Sequence, residues 1–422
     1  MGTPFEEILG FVETLEIYDT HEHLPHREDA RERSTDVLQE YLKCYFSSDL
    51  QSAGLRRTDY QAVIDPRRPL AERWRLVEPY WQAARFTGYG QALDIVARGL
   101  YGVDGITGAT IERLNERFQA TLAGGQYRRV LKEKSRIRLS ILDANLDCDP
   151  EYFRSAYNLD LVVMPRNLGD VERVAGEAGV RVACFDDWLE ACRGAVARAE
   201  ARGAVCLKTA HAYARSLAFE RWTRAQAEEA FNGFFDAIHR DSGSMGAIPG
   251  KPLQDFVMHW VLQEADRRGR TVQVHTGILE GTGNYLANSD PLALSNLFLQ
   301  YPDVKFDLFH IGYPWQQQVG VLAKNFPNVF IDMCWAHIVS PTASVVALAE
   351  WVGCVPLTKI SAFGGDYSFV DGVYGHQAIA RRNVSRSLAR TVEEGVMDID
   401  AAKATARMLF IDNPRRLFGL PA

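Results

Sequence analysis

The chain has 422 residues, of which 47% are hydrophobic and 24% are charged, and its formal net charge is −7. These proportions are typical of a folded globular protein, and the length allows one large α/β domain with additions or two to three domains. The negative charge argues against a nucleic-acid-binding surface and against an anchor for anionic membranes. No apolar run approaches the roughly 18 residues that span a bilayer, so we expect no membrane partner.

The N-terminal residues and the cysteines indicate the compartment. The first residues lack the positive charge of a secretory signal. The seven cysteines are scattered, and no two of them form a C-x-x-C pair. Reduced and mostly buried thiols in a cytoplasmic protein show this pattern, so we expect no disulfide framework. A small-molecule substrate is the expected partner, and the sequence leaves open whether the chain forms a homo-oligomer.

The first predicted strand, Leu15–Tyr18, leads into His21 and His23. Successive side chains of a strand point to opposite faces, so the two imidazoles project the same way from its end. Two imidazoles at this spacing can bind one metal ion, although two polar residues placed by chance give the same pattern. The meaning of the pair therefore depends on the residues at the ends of the later strands.

Residues 31–125 predict a helical insertion after this strand. Asp36 offers an N-cap before an amphipathic run, and Pro79 interrupts a later helical stretch. No strand pattern occurs in this part of the chain. The expected organisation is therefore a main domain made of residues 1–30 and 126–422, with the insertion between them.

After residue 125 the pattern changes to short apolar runs separated by helix-length segments. The eight predicted strands are residues 15–18, 136–142, 159–164, 204–207, 271–274, 304–309, 329–333 and 360–363. Apolar strands that alternate with helices indicate a parallel sheet buried on both faces. Eight of them predict a (β/α)8 TIM barrel, whose chemistry lies at the carboxyl ends of the strands. The run Gly179–Phe185 is also strand-like and competes for the third position.

Polar side chains follow several of these strands at the end where a barrel carries its site. They are Lys208 after the fourth strand, His275 after the fifth, His310 after the sixth and Asp366 after the eighth. In a barrel these positions converge on one mouth with His21 and His23. Such a run of strand ends is difficult to obtain by chance, so the sequence predicts a metal site.

The set HxH…K…H…H…D resembles the amidohydrolase superfamily over residues 1–30 and 126–420. Several stretches are similar to the amidohydrolase-related family, whose members include domains fused to glutamine synthetase. They are Lys208-Thr209-Ala210-His211, Val274-His275-Thr276-Gly277, Gly364-Gly365-Asp366 and the stretch from Met408 to Gly419. The helical insertion separately resembles that of uronate isomerases, a distant branch of the same superfamily.

The resemblance implies a ligand set and roles for its members. Imidazole nitrogens with one carboxylate suit a divalent metal, and Zn²⁺ suits them best. The expected ligands are His21, His23, His275 and Asp366. Asp366 is also expected to take the proton from a metal-activated water, and His310 to polarise the substrate or hold that water. The structural alternatives are a helix N-cap for Asp366 and a buried core histidine for His310.

Lys208 has two interpretations. In binuclear relatives a lysine at this strand end is carboxylated and bridges two metal ions, so a second ion is expected only in that case. In mononuclear relatives a lysine there contacts the substrate or forms a structural ion pair. We expect one ion.

Further residues are candidates for binding a substrate. Arg166, His211, Tyr213 and Arg215 are placed to receive a carboxylate, which a guanidinium binds with two hydrogen bonds. Trp335 and Asp332 are candidates for the pocket wall, and the loop 280–285 is a candidate lid. For Trp335 and Tyr285 packing is the simpler explanation.

The sequence therefore predicts a metal-dependent hydrolase that cleaves an amide-like, C–N or lactone bond of a small carboxylate-bearing substrate. Three alternatives stay open: a uronate-isomerase-like sugar-acid isomerase, a metal-dependent decarboxylase, and a catalytically silent barrel used for binding. The intact set of strand-end residues argues against the last. The fold itself does not choose among the reactions.

Overall fold

The computed structural model describes residues 2–144, 147–239 and 250–421. Eight parallel strands form one sheet in the order β1 to β8. They are β1 Ile17–Glu22, β2 Ile137–Asp143, β3 Phe153–Asn158, β4 Cys206–Thr209, β5 Val272–Val274, β6 Phe306–Leu308, β7 Val329–Asp332 and β8 Ile360–Ser361. The backbone of β1 also bonds to the chain that follows β8, where Thr20 N donates to Phe363 O at 3.1 Å. This contact closes the sheet, and the predicted (β/α)8 barrel is confirmed.

The third strand lies earlier in the chain than predicted. The predicted run 159–164 instead contains a helical turn, Asp160–Val163, whose first amide donates to Asn158 Oδ1 at 2.9 Å. The strand prediction is therefore wrong there, because a short apolar run fits a buried helical turn as well as a strand. The competing run Gly179–Phe185 is no strand either, since Gly179 ends one helix at φ +68° and Phe185 begins the next.

Helices cover the outside of the barrel before β1 and after β2. They are α1 Pro4–Thr14, then α8 Asp160–Val163, α9 Leu168–Ala178, α10 Phe185–Ala201, α11 Arg224–His239, α12 Lys251–Arg268, α13 Ser295–Gln300, α14 Gln316–Asn325, α15 Ala336–Val339, α16 Pro341–Val352, α17 Val370–Glu393, α18 Ile399–Arg407 and α19 Asn413–Phe418. Within the described residues, none of the helices combines the length and the apolar character needed to cross a membrane.

Six α-helices lie between β1 and β2, together with the short 3-10 helices Glu28–Ala30 and Ala120–Ala123 and the π-helix Arg128–Lys134. The α-helices are α2 Val37–Leu42, α3 Phe46–Ser52, α4 Arg57–Val63, α5 Leu70–Ala84, α6 Gly88–Tyr101 and α7 Ile111–Gln119. The Asp36 carboxylate caps α2 by accepting from Gln39 N at 3.0 Å. Pro79 lies inside α5, which continues past it, so the predicted interruption is wrong. Buried aromatic side chains of this segment, Trp74 and Trp81 among them, belong to the same hydrophobic core as the barrel strands.

Candidate metal centre

His21, in β1, and His23, just after it, meet the aspartate that follows β8. The Nε2 atoms of His21 and His23 are 3.3 Å apart. Oδ1 of Asp366 lies 3.1 Å from Nε2 of His23 and 3.7 Å from Nε2 of His21. One ligand atom from each of these residues lies within 4.8 Å of the others, which is the clustering that one metal ion requires.

The backbone at the ends of β6, β7 and β8 is held in an unusual conformation. His310, Trp335 and Asp366 have φ values of +62°, +59° and +59°, in the left-handed region that favours glycine. Such residues cost free energy and persist only where the surrounding contacts hold them. For Asp366 one such contact is the hydrogen bond that its amide donates to His21 O at 2.8 Å. The strand-1 histidines and Asp366 are therefore fixed relative to each other through the backbone.

His275 and His310 present lone pairs to each other. His275 Nε2 lies 2.9 Å from the carbonyl of Ile278, and His310 Nδ1 lies 3.0 Å from the carbonyl of Cys334. A carbonyl only accepts, so each ring carries its hydrogen on that outer nitrogen. The inner nitrogens, Nδ1 of His275 and Nε2 of His310, are then unprotonated at a separation of 3.1 Å. A cation beside them removes this repulsion, and imidazoles oriented by carbonyls are the usual support of a metal ligand.

The pKa shifts of His21, His275, His310 and Asp366 fit metal ligation. Burial is the largest effect on His21, His275 and His310, and it lowers the pKa of each, to about 4 for His310. Burial would raise the pKa of Asp366, but the hydrogen bond from His23 and the charges of the imidazoles outweigh it and lower the pKa well below its usual value. Burial also acts to lower the pKa of His23, but the hydrogen bond with Asp366 and the charge of that carboxylate outweigh it and raise the pKa. Neutral imidazoles and an ionised carboxylate are the forms that bind a metal.

Two features depart from a simple four-ligand site. Nδ1 of His21 is buried and has no hydrogen-bond partner among the described residues, unlike the outer nitrogens of His275 and His310. Asp366 also belongs to a second group with ligand geometry, which it forms with His310 and Cys334. Both candidate groups share Asp366.

The centre lies in a cavity of about 460 Å³ at the carboxyl ends of the strands. A cavity of this size holds a small metabolite. Its lining residues are His23, Lys43, Cys44, Tyr45, Asp143, Asn158, Lys208, Ala210, Tyr213, His275, Glu280, Trp335, Asp366 and Ser368. The wall therefore combines residues of the strand ends with a turn, residues 43–45, from the helices between β1 and β2.

Lys208 faces this cavity without a counter-ion. Its side chain is 2% exposed, and Nζ lies 4.5 Å above the ring of Phe309. Among the described residues no carboxylate forms an ion pair with Nζ. A buried ammonium without a counter-ion is costly, so an anion is expected to join it in the cavity.

The predicted substrate residues divide into two groups. Tyr213 and Trp335 line the cavity, and the Tyr213 hydroxyl accepts from Glu280 N at 2.9 Å, at the start of the predicted lid. The other three lie outside it and have partners of their own. Arg166 pairs with Asp170 at 3.0 Å, Arg215 pairs with Asp255 at 2.6 Å, and His211 contacts the hydroxyl of Thr209. Asp332 is also absent from the lining, and its Oδ1 accepts from Cys334 N at 2.8 Å.

Several residues that line the cavity were not predicted from the sequence. Asp143 ends β2, its Oδ2 lies 4.0 Å from His21 Nε2, and Asn158 at the end of β3 donates to its carboxylate at 3.2 Å. The rule that found Lys208 and His275, a polar residue at a strand end, also applies to Asp143. Tyr45 carries no such signal, because it reaches the cavity from a turn between two helices.

A family model and one curated protein match parts of this chain. A family model described as Amidohydrolase matches residues 169–420. The curated protein fluG of Emericella nidulans is 26% identical over 222 residues, which are 51% of this chain and 26% of that protein. The chain therefore aligns with about a quarter of the length of this relative.

Solved structures share the fold. A uronate isomerase of Thermotoga maritima superposes with a TM-score of 0.81 at 14% identity, over 99% of this chain and 98% of that one. A glucuronate isomerase of Caulobacter crescentus superposes with a TM-score of 0.78 at 18% identity, over 99% and 94% of the two chains. Identities this low show the fold alone. The family model, however, matches well over half of the chain, and the chain belongs to the amidohydrolase superfamily.

Proposed function

We propose that this protein is a metal-dependent hydrolase that cleaves an amide-like, C–N or lactone bond of a small carboxylate-bearing substrate. The observation that carries the proposal is a cluster of four imidazoles and one carboxylate beside a cavity large enough for a small metabolite, with His23, His275 and Asp366 of the cluster in the cavity wall. His21, His23, His275 and Asp366 would hold one divalent ion, and the nitrogen and oxygen donors favour Zn²⁺. Such an ion, when bound, acidifies a water molecule and polarises a carbonyl group.

Asp366 and His310 provide a path for the proton. Nε2 of His310 lies 3.7 Å from Oδ2 of Asp366, and the hydrogen of the neutral ring is on Nδ1. The 3.7 Å separation is longer than a hydrogen bond, so a proton that Oδ2 takes from the attacking water would reach Nε2 after a small movement of either side chain. A positioned base of this kind contributes about 10²–10⁴ in rate.

Lys208 orients the substrate. Its ammonium, buried beside Phe309, has no carboxylate partner among the described residues, so the carboxylate of a substrate is the complementary group. In this role Lys208 stays uncarboxylated and the site holds one metal ion. The rim of the cavity at Glu280 and Tyr213 is the part that a larger leaving group would meet.

A sugar-acid isomerase is the second candidate. It is favoured by the superposition on the two uronate isomerases over nearly their full lengths, a range that includes the helices between β1 and β2. Isomerisation moves hydrogen within the sugar acid and adds no water. Conversion of a uronate to a product of the same molecular mass would therefore identify this candidate.

Metal analysis followed by a substrate panel tests the proposal. Purified protein is expected to contain about one equivalent of transition metal, and the double variant His21→Ala, His23→Ala to lose it while the fold survives. His259→Gln is the matched control, since His259 is a buried histidine that pairs with Tyr301 at 3.0 Å, outside the cavity. A panel of acyl-amino acids, lactones and uronates then distinguishes the two reactions. Equal metal content in all three proteins would show that the site is wrong.

A further inference from the structure

Hydrogen bonds at Asp366 and Asp371 join the chain that follows β8 to residues between β1 and β2. Tyr45, in the turn between α2 and α3, donates its hydroxyl hydrogen to the backbone carbonyl of Asp366. Five residues later, Asp371 in the first turn of α17 accepts three hydrogen bonds. The donors are Tyr41 Oη at 3.2 Å, Tyr101 Oη at 2.6 Å and Gln126 Nε2 at 2.7 Å. All three donors precede β2 in the chain.

The ring of Tyr45 is itself held in place. It stacks on Trp335 with centroids 4.6 Å apart and planes at 27°, and on Tyr89 with centroids 5.4 Å apart and planes at 21°. Aromatic stacks of this geometry add to the stability that burial provides. The Tyr45 side chain is 5% exposed. The hydroxyl therefore reaches Asp366 from a rigid support.

The carbonyl that Tyr45 contacts belongs to a residue with left-handed backbone. Asp366 has φ +59°, which a residue other than glycine adopts only at a cost in free energy. Its amide donates to His21 O, and its carbonyl accepts from Tyr45. These two bonds hold both sides of the strained residue, and the Tyr45 bond is the one that the helical segment supplies.

We infer that Tyr45 is a positioning residue for Asp366, and that the helices between β1 and β2 are part of the metal centre as well as a wall of the cavity. This inference rests on the metal-dependent function proposed above. It predicts that the Tyr45 hydroxyl sets metal affinity although no atom of Tyr45 is a ligand. Removal of groups that orient ligands typically costs about 10–100-fold in metal affinity.

Tyr45→Phe is the test, because it keeps the stacked ring and removes only the oxygen. Tyr60→Phe is the matched control, since the Tyr60 hydroxyl donates to Leu42 O at 2.9 Å within the same helical segment and does not contact the chain after β8. Both variants lose one buried hydrogen bond to a carbonyl, so similar losses of thermal stability are expected in the metal-free proteins.

The measurement is the Zn²⁺ dissociation constant by competition with a chromophoric chelator, together with the visible spectrum of the Co²⁺-loaded protein. For Tyr45→Phe we expect a dissociation constant about tenfold or more above the parent and a changed Co²⁺ spectrum. For Tyr60→Phe both readouts should match the parent. A Tyr45→Phe protein with parental affinity and spectrum would overturn the inference and leave the metal centre standing. A parent that binds no Zn²⁺ would overturn both.

Discussion

A Cβ atom on Gly365 would lie 1.8 Å from Oε1 of Glu22, so the loop that carries Asp366 packs directly on a buried carboxylate. The other oxygen of Glu22 accepts from Tyr367 N at 2.8 Å, and Gly365 N donates to Asp19 Oδ1 at 2.9 Å. The carboxylates beneath the loop are therefore tied to its backbone on both sides of Asp366. Glycine at position 365 is required by this close approach.

Gly365→Ala should damage both the fold and the proposed metal site. Glu22 cannot move away without breaking its bond to Tyr367, so the loop must move and take Asp366 with it. Overpacking of this kind typically costs about 1–3 kcal/mol. We expect a loss of that size in the free energy of unfolding in urea, together with weaker metal binding by elemental analysis.

Gly353→Ala is the control for that substitution. A Cβ there would be 3.6 Å from the carbonyl of Glu350, which is ordinary van der Waals contact, and φ is −87°. Its unfolding free energy should stay within about 0.5 kcal/mol of the parent, as is usual for surface substitutions. Equal stability and metal content in the two variants would contradict the steric argument.

The site residues that could be predicted from the sequence are those that lie at the ends of strands. His21, His23, His275 and Asp366 lie at or just after the ends of strands, and a barrel brings strand ends together whatever the intervening chain does. Asp143 follows the predicted second strand, residues 136–142, in the same way as Lys208 and His275 follow theirs, so the same rule could have predicted its place at the cavity.

Contacts between distant parts of the chain could not be predicted in this way. Tyr45 and Asp366 are 321 residues apart in the chain, and no periodic pattern in the sequence predicts the hydrogen bond between them. Arg166 and Arg215 are predicted to bind a carboxylate of the substrate, because arginine binds carboxylates well. In the structure each arginine instead binds a carboxylate of the protein, Arg166 that of Asp170 and Arg215 that of Asp255. A counter-ion within the fold and one on a ligand are chemically alike, so only the structure distinguishes them.

Burial of His337 should make the fold acid-sensitive. Burial lowers the pKa of this ring to about 4, while Nε2 lies 2.9 Å from Ala362 O. The ring faces His376, with centroids 6.0 Å apart, and the amide of Asn383. An unfolded histidine titrates near 6.5. The contribution of His337 to the free energy of unfolding is therefore fully present above pH 6.5 and is lost as the pH falls towards 4. The full loss from this group is about 3 kcal/mol.

His337→Gln tests this pH dependence, because the glutamine amide can still donate to Ala362 O and does not titrate. Urea unfolding at pH 7, 5.5 and 4.5 should show a shallower decline for the variant than for the parent. The variant is expected to be less stable at pH 7, where the imidazole packs better. Parallel declines in the two proteins would place the acid sensitivity elsewhere.

Lys208→Met should separate stability from substrate binding. The substitution removes a buried ammonium that has no carboxylate partner among the described residues, so the unfolding free energy should stay equal or rise. Metal content should not change, whereas KM for a carboxylate substrate should rise about tenfold or more, because hydrogen bonds to charged groups contribute about 1.5–3 kcal/mol. Lys324→Met, at an exposed lysine, is the control. Loss of half the metal in Lys208→Met would instead identify Lys208 as a carboxylated bridge.

Asp366→Asn should separate the two roles of the aspartate. The amide keeps one ligand oxygen and the side-chain shape, but it cannot take a proton from the attacking water. We therefore expect metal content to fall little and kcat to fall about 10²–10⁴, the usual contribution of a general base. Asp366→Ala, which removes the ligand oxygen as well, should lose the metal. Asp290→Asn is the control, since the amide oxygen can still accept the bond from Leu292 N that the carboxylate accepts at 2.9 Å. If Asp366→Asn turns over the panel substrate at the parental rate, the base must be His310, whose Nε2 faces the same carboxylate, or Glu280 at the rim of the cavity.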